Sequence, residues 1–206
     1  MDPEQNQSTT TLFDGTQKWY KNGILHRDND LPAVIKPNGT EEWYQNGKLH
    51  RDNDKPAIIF FDGSKYWYQN GKSHRDNDQP VTIRRDGTQE WFKYGQAHRD
   101  NDLPAIIESD GAQYWQQNGR YHRDNDKPAI IFSDGGQIWY QNNKIHREND
   151  QPAIIRSNGT LEWYQDGKRH REDNKPSIIK NDGNLEWHQN GARQEDGELD
   201  SDFIKG

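Results

Sequence analysis

The sequence predicts an all-β protein, an elongated array of antiparallel β-hairpins, and three observations predict it. Eight tryptophans, Trp19, Trp43, Trp67, Trp91, Trp115, Trp139, Trp163 and Trp187, follow one another at a constant 24-residue spacing with no insertion or deletion. A fixed period of this length marks a stack of small identical units rather than a conventional globule. Each period also carries two turn signals, such as Asn46-Gly47 and Asp62-Gly63, between short runs of aromatic and β-branched residues. No window of the chain spaces its apolar residues as a helix would.

The repeat defines the domain organisation. Residues 1–12 are polar, lack the motif and read as a flexible lead-in; residues 13–193 hold about eight units; residues 194–206 form an acidic tail. Seven units carry a His-Arg pair, at His26, His50, His74, His98, His122, His146 and His170, followed by a proline at the same period. In the eighth, Gln194-Glu195 stands where His-Arg would be.

Within one unit, two-residue turns would set Trp43 opposite His50, Tyr44 opposite Leu49 and Glu42 opposite Arg51. Around Asp62-Gly63 they would set Ile58 opposite Trp67 and Ile59 opposite Tyr66. Three segments joined only by reversals would point successive units in opposite directions. The favoured solution lets one strand bend at Asp52-Asn53-Asp54-Lys55 and continue into Pro56-Ala57-Ile58, giving two strands per unit; winding into a superhelix is the other. At about 4.8 Å per strand, eight such units would make a rod of about 75 Å.

Composition excludes several function classes. With no cysteine, disulfides and thiolate metal sites are ruled out. A net charge of -7 argues against non-specific nucleic-acid binding. No apolar run reaches the length of a membrane span and no signal-peptide pattern opens the chain, so a cytoplasmic protein is expected. Hydrophobic residues are only 28% of the chain, but they return to the same places in every unit, which suits a thin folded sheet.

On the residues Trp43-Tyr44-Gln45-Asn46-Gly47-Lys48-Leu49-His50, the chain resembles the MORN repeat, and more closely its shorter variant, over about residues 13–193. The Trp-Tyr-x-Asn-Gly, His-Arg and Pro-Ala units are also similar to those of proteins from giant DNA viruses and phages, which would place the chain in a host cytoplasm or a virion. The resemblance implies a hairpin array serving as an interaction scaffold, and no catalytic residue. One departure bears on the connector: ordinary MORN units follow the histidine with Gly-x-Gly, whereas His50 is followed by Arg51-Asp52-Asn53-Asp54. The aromatic pair with Asn-Gly is also similar to choline- and glucan-binding repeats, without their Gly-Trp start.

Recurring side chains are expected to serve the stack. Histidines one unit apart lie too far from each other to share a zinc ion through their nitrogens alone, so His50 is expected to stack on Trp43. The arginines are expected to pair across strands, Glu42 with Arg51, Glu90 with Arg99 and Glu162 with Arg171, or to lie on Tyr66 and Tyr114 at Arg75 and Arg123. No cofactor and no catalytic or metal residue is expected, because every candidate occurs seven times over. Specificity falls to the positions that differ between copies: Phe60, Phe61 and Tyr66 as an apolar set, Arg84-Arg85 as a basic spot, and Tyr94 and Asn143 as odd turn residues. The expected function is a non-enzymatic scaffold for a protein partner or for self-assembly. The alternatives are a glycan or small-ligand module using the aromatic rows, and calcium-dependent assembly through the Asp-Asn-Asp loops.

Overall fold

The computed structural model describes residues 7–194, and among these there is no helix. The chain divides into two compact units, Met1–Asn101 with Ala105–Ser109, and Asp102–Pro104 with Asp110–Gly206. Both are built the same way, from a ladder of short antiparallel strands with small hairpin arms branching from it.

In the first unit the ladder runs Gln7–Thr11, Gln17–Lys21, Val34–Ile35, Glu41–Glu42, Ile58–Ile59, Lys65–Tyr66, Thr82–Ile83, Gln89–Glu90, Ile106–Ile107. In the second it runs Gln113–Tyr114, Ile130–Ile131, Gln137–Ile138, Ile154–Ile155, Leu161–Glu162, Ile178–Ile179, Leu185–Gln189. Each repeat thus adds two ladder strands, as expected. Arms such as Tyr44–Gln45 with Lys48–Leu49 pair only within themselves, and the Tyr44–Leu49 register is the expected one.

Tryptophan is the branch point. The Trp43 N–H donates to the Ala57 carbonyl in the ladder, while its own carbonyl accepts the His50 N–H at the base of the arm. This branching, rather than a bent continuous strand, solves the parity problem. After the arm the chain reverses again through Asp52–Lys55, where Asn53 and Asp54 hold φ of 60° and 54°. Two successive left-handed residues suit Asn and Asp, whose short polar side chains tolerate that conformation. The excursion therefore returns the chain antiparallel to where it left, and every repeat can be superposed on the next.

The second turn corrects the expected register. It is a three-residue loop: Gly63 N–H donates to the Phe60 carbonyl, and Phe60 N–H to the Ser64 carbonyl. Gly63 at φ 91° forms the bulge that closes such a loop. The extra residue slips the pairing by one, so Ile58 faces Tyr66 and Ile59 faces Lys65. The turn is locked by the Asp62 carboxylate accepting the Ser64 N–H at 2.8 Å.

Within the lead-in, residues 7–11 form a strand that pairs along the whole of Gln17–Lys21. Thr10 faces Lys18 and Thr11 faces Gln17, the same places that Val34 and Ile35 take against Glu42 and Glu41 one repeat later. Two threonines with good β propensity stand in for the usual apolar pair. Residues 195–206 of the acidic tail lie outside the described residues, and Gln194 ends the last arm strand, Ala192–Gln194.

The core is thin and recurrent. Ala33, Ala57, Val81, Ala105, Ala129, Ala153 and Ser177, each next to the repeat proline, are fully buried. The six tryptophans from Trp43 to Trp163 are each 6% exposed. Removing one indole from water contributes about 3–5 kcal/mol before the entropy of ordering is charged against it. Six burials of that size explain how a chain this polar folds.

Candidate functional site

The recurring polar residues build one arrangement in each repeat. The Arg51 guanidinium lies 3.7 Å above the Trp43 ring, and the same contact recurs from Arg27 on Trp19 to Arg171 on Trp163. While stacked, Arg51 donates Nε and Nη2 to the two carboxylate oxygens of Asp30, at 2.7 and 3.0 Å, in the preceding turn. Its Nη1 donates to the Pro56 carbonyl at 3.3 Å. The Trp43 indole N–H donates to the Asp30 carbonyl at 3.0 Å. Trp and Arg of one repeat together hold the Asp turn of the repeat before it. A planar guanidinium can stack and chelate at once, which a lysine cannot.

This overturns the expected pairs. Glu42 takes Lys36 at 2.6 Å, Glu90 takes Arg84, and Glu162 is buried between Arg156 and Arg169. The chain leaves the ladder at the tryptophan, so Glu42 stays in the ladder opposite Val34 and Ile58 while Arg51 lies beyond the arm, and the two do not face each other. Neither Arg75 nor Arg123 lies on a tyrosine; they cover Trp67 and Trp115.

The histidines do not stack on the tryptophans either. His50 Nε2 lies 3.0 Å from Asp52 Oδ1, and its Nδ1 accepts the Asn70 N–H of the next arm at 3.1 Å. An Nδ1 that accepts carries no proton, so the proton sits on Nε2, facing the carboxylate. His26, His146 and His170 repeat the bond to the next arm at 3.1–3.2 Å. A second tie joins the arms, from Gly47 N–H to the Leu25 carbonyl and from Gly71 N–H to that of Leu49.

The Asp-Asn-Asp loops are engaged in the same way. Arg51 and then Lys55 hold Asp30 down to about 2, and Arg123 with Lys127 does the same for Asp102. Arg171 and Lys175 depress Asp150 equally. A groove of about 260 Å³ between consecutive loops in the first unit is lined by Asp28, Asp30, Tyr44, Gln45, His50 and Asp52. A similar one, about 230 Å³, lies between Asp124 and Glu148 in the second.

The non-recurring candidates separate into two groups. Phe60 packs edge-on against Tyr66, with centroids 5.1 Å apart, and both are half-buried. Arg84 is tied to Glu90. Phe61 and Arg85, by contrast, stand exposed at the tips of successive turns. Their backbones are fixed to the turn before, Phe61 N–H on Thr40 Oγ1 and Arg85 N–H on Ser64 Oγ. Phe13 occupies the same turn position two repeats before Phe61 and is fully exposed. It was legible from the 24-residue frame, which places it two periods before Phe61 beside the Asp14-Gly15 turn.

Tyr94 is the strained point. It holds φ of 53° in the place of the turn Asn and stacks on His74, with centroids 5.1 Å apart and planes 3° from parallel. His74 Nδ1, which has an arm N–H in its equivalents, is buried with no hydrogen-bond partner. The matching arm tie, Gly95 N–H to the Ser73 carbonyl, lengthens to 3.2 Å.

No family model matches the chain, and no curated protein matches it. No helix among the described residues is long and apolar enough to cross a membrane.

Proposed function

We propose that this protein is a non-enzymatic, MORN-like repeat scaffold of the cytoplasm that presents an exposed row of turn tips to a protein partner. One observation carries the reading. The recurring Trp, Arg, Asp and His side chains bond one repeat to the next, whereas the residues that differ between copies, Phe13, Phe61 and Arg85, stand in solvent, and the backbones of Phe61 and Arg85 are pinned to the turn before. Exposed apolar groups on a rigid base suit recognition, because little ordering entropy is lost on contact.

The glycan reading loses its platform at the tryptophans, since six rings are buried and capped by arginine. The calcium reading loses its free carboxylates, since the third loop residue is chelated by an arginine in six turns. The test is affinity capture from the native host with the intact chain and with Phe61→Ser combined with Arg85→Glu, both checked for equal melting temperature. A partner held by the intact chain and lost by the variant supports the proposal. Equal capture, or none beyond an unrelated control, rejects it.

A further inference from the structure

In the first unit the turns that join ladder strands lie on the side of the ladder away from the arms, and their tips follow one frame. Each is the same three-residue loop, in which Gly15, Gly39, Gly63 and Gly87 N–H donate to the carbonyls of Leu12, Lys36, Phe60 and Arg84. The first loop residue is Phe13, Pro37, Phe61 and Arg85 in turn, all of them exposed. Three consecutive tips are thus apolar and the fourth is cationic. Phe61 is 68% exposed and Phe13 wholly so. The Pro37 ring leans on the turn of Phe13, since a Cβ added at Gly15 would meet its Cγ at 3.3 Å. In the second unit the matching residues include Ser133 and Ser157, whose hydroxyls donate to Asp110 and Asp134 of the preceding turns at 2.9 and 2.7 Å. Those tips are tied into the stack, whereas the apolar tips of the first unit face solvent.

Spacing and area narrow the occupant. Two ladder strands separate consecutive tips, about 9.6 Å. A polyproline II chain returns to the same face every third residue, a step of about 9.3 Å. An extended strand alternates faces and offers same-face steps of about 6.7 or 13 Å, which miss the row. A helix returns to its face after seven residues, about 10.5 Å, and seats in a groove rather than on a line of tips. The apolar tips offer about 500 Å² at most, two rings of about 150–250 Å² with a proline between them. A stable interface between folded proteins takes about 800 Å² from each partner. The row is therefore too small for a second copy and large enough for a short linear segment. Aromatic side chains are what proline-rich segments dock on, because such a segment is ordered before it binds. Arg85 adds a sign: among the described residues it joins no ion pair, and Asp62, the carboxylate it acts on, already accepts the Ser64 N–H.

Resting on the scaffold reading above, we propose that the row Phe13, Pro37, Phe61 and Arg85 binds a proline-rich segment in polyproline II form. Every third residue of the segment meets a tip, prolines against Phe13, Pro37 and Phe61 and a carboxylate against Arg85. Pinned turns and a preordered ligand both keep the loss of entropy small.

The probe is a fluorescent peptide with proline at every third position, a glutamate one further step along and polar spacers, titrated against the full-length chain by anisotropy. Its control has the same composition with the prolines four residues apart. The expected result is at least about tenfold tighter binding of the first peptide. Phe13→Ser combined with Phe61→Ser abolishes that preference at an unchanged melting temperature. Arg85→Glu weakens binding about threefold, and only when the peptide keeps its glutamate. Equal affinity for the two peptides, binding that survives the double serine variant, or no binding overturns the proposal. A dimer in light scattering that the double serine variant abolishes also overturns it, because a second copy then holds the row. If the peptides fail while host capture is still lost in Phe61→Ser with Arg85→Glu, the scaffold reading stands and only this ligand class falls.

Discussion

Arg75→Ala tests the contact on which the repeat depends. Arg75 lies 3.9 Å above the Trp67 ring, chelates Asp54 with two bonds of 2.7 Å, and donates to the Pro80 carbonyl at 3.2 Å. Its side chain is 13% exposed, and no lysine shares Asp54, so the substitution removes the whole interaction. A largely desolvated cation–π contact contributes about 1–2 kcal/mol. The ion pair adds at most about 1 kcal/mol, because Asp54 is half exposed. Leaving the carbonyl beside buried Pro80 without its donor costs a further ~1 kcal/mol. The expected loss is about 3 kcal/mol, with Arg75→Lys losing about half because an ammonium cannot stack and chelate together. Repeat arrays unfold locally, so the assay is hydrogen exchange at the Trp67 indole N–H, which donates to the Asp54 carbonyl, alongside urea denaturation. A loss below about 1 kcal/mol in Arg75→Ala, or no difference between Ala and Lys, would refute the reasoning.

Acid should loosen the turns in a defined window. Asp30, Asp102 and Asp150 sit at about 2 in the folded chain, below the ordinary carboxylate value of 3.8, so their contribution is complete above that value. It is lost as pH falls from about 4 to about 2, measured by circular dichroism, and Lys55→Ala with Lys127→Ala and Lys175→Ala should move the loss to higher pH. Tyr94→Asn relieves a left-handed tyrosine and gives the turn the residue found beside His26 and His50, so stability should rise by about 1 kcal/mol; a fall would mean that the His74 stack outweighs the strain. Ser177 Oγ lies 2.8 Å from His188 Nδ1, both buried, where four other repeats carry Ala with Tyr at the matching places. Ser177→Ala alone should cost about 1–2 kcal/mol, and adding His188→Tyr should restore it; purely additive effects in a thermal-melt double-mutant cycle would disprove the coupling.

Covalent spacing and local turn chemistry were written in the sequence. The Trp period, the β class, the Tyr44–Leu49 register and the identity of the strand residues followed from turn residues with positive φ and from short apolar runs, all of them local. The in-frame strand Gln7–Thr11 was equally legible by counting, but its threonines lack the apolar signature that composition looks for. Which side chains meet between repeats was decided in three dimensions. Asp62-Gly63 alone does not distinguish a two-residue turn from a three-residue bulged loop, and that one residue moves every ladder partner by a step. Likewise, a tryptophan whose backbone bonds both to Ala57 beside the ladder and to His50 at the base of the arm sends Arg51 21 positions back to Asp30 instead of across to Glu42. Sequence neighbours report who can pair within a strand's reach. Only the branched path of the backbone brings Trp, Arg and Asp of adjoining repeats together, because such contacts depend on where the chain turns and not on how its residues are spaced.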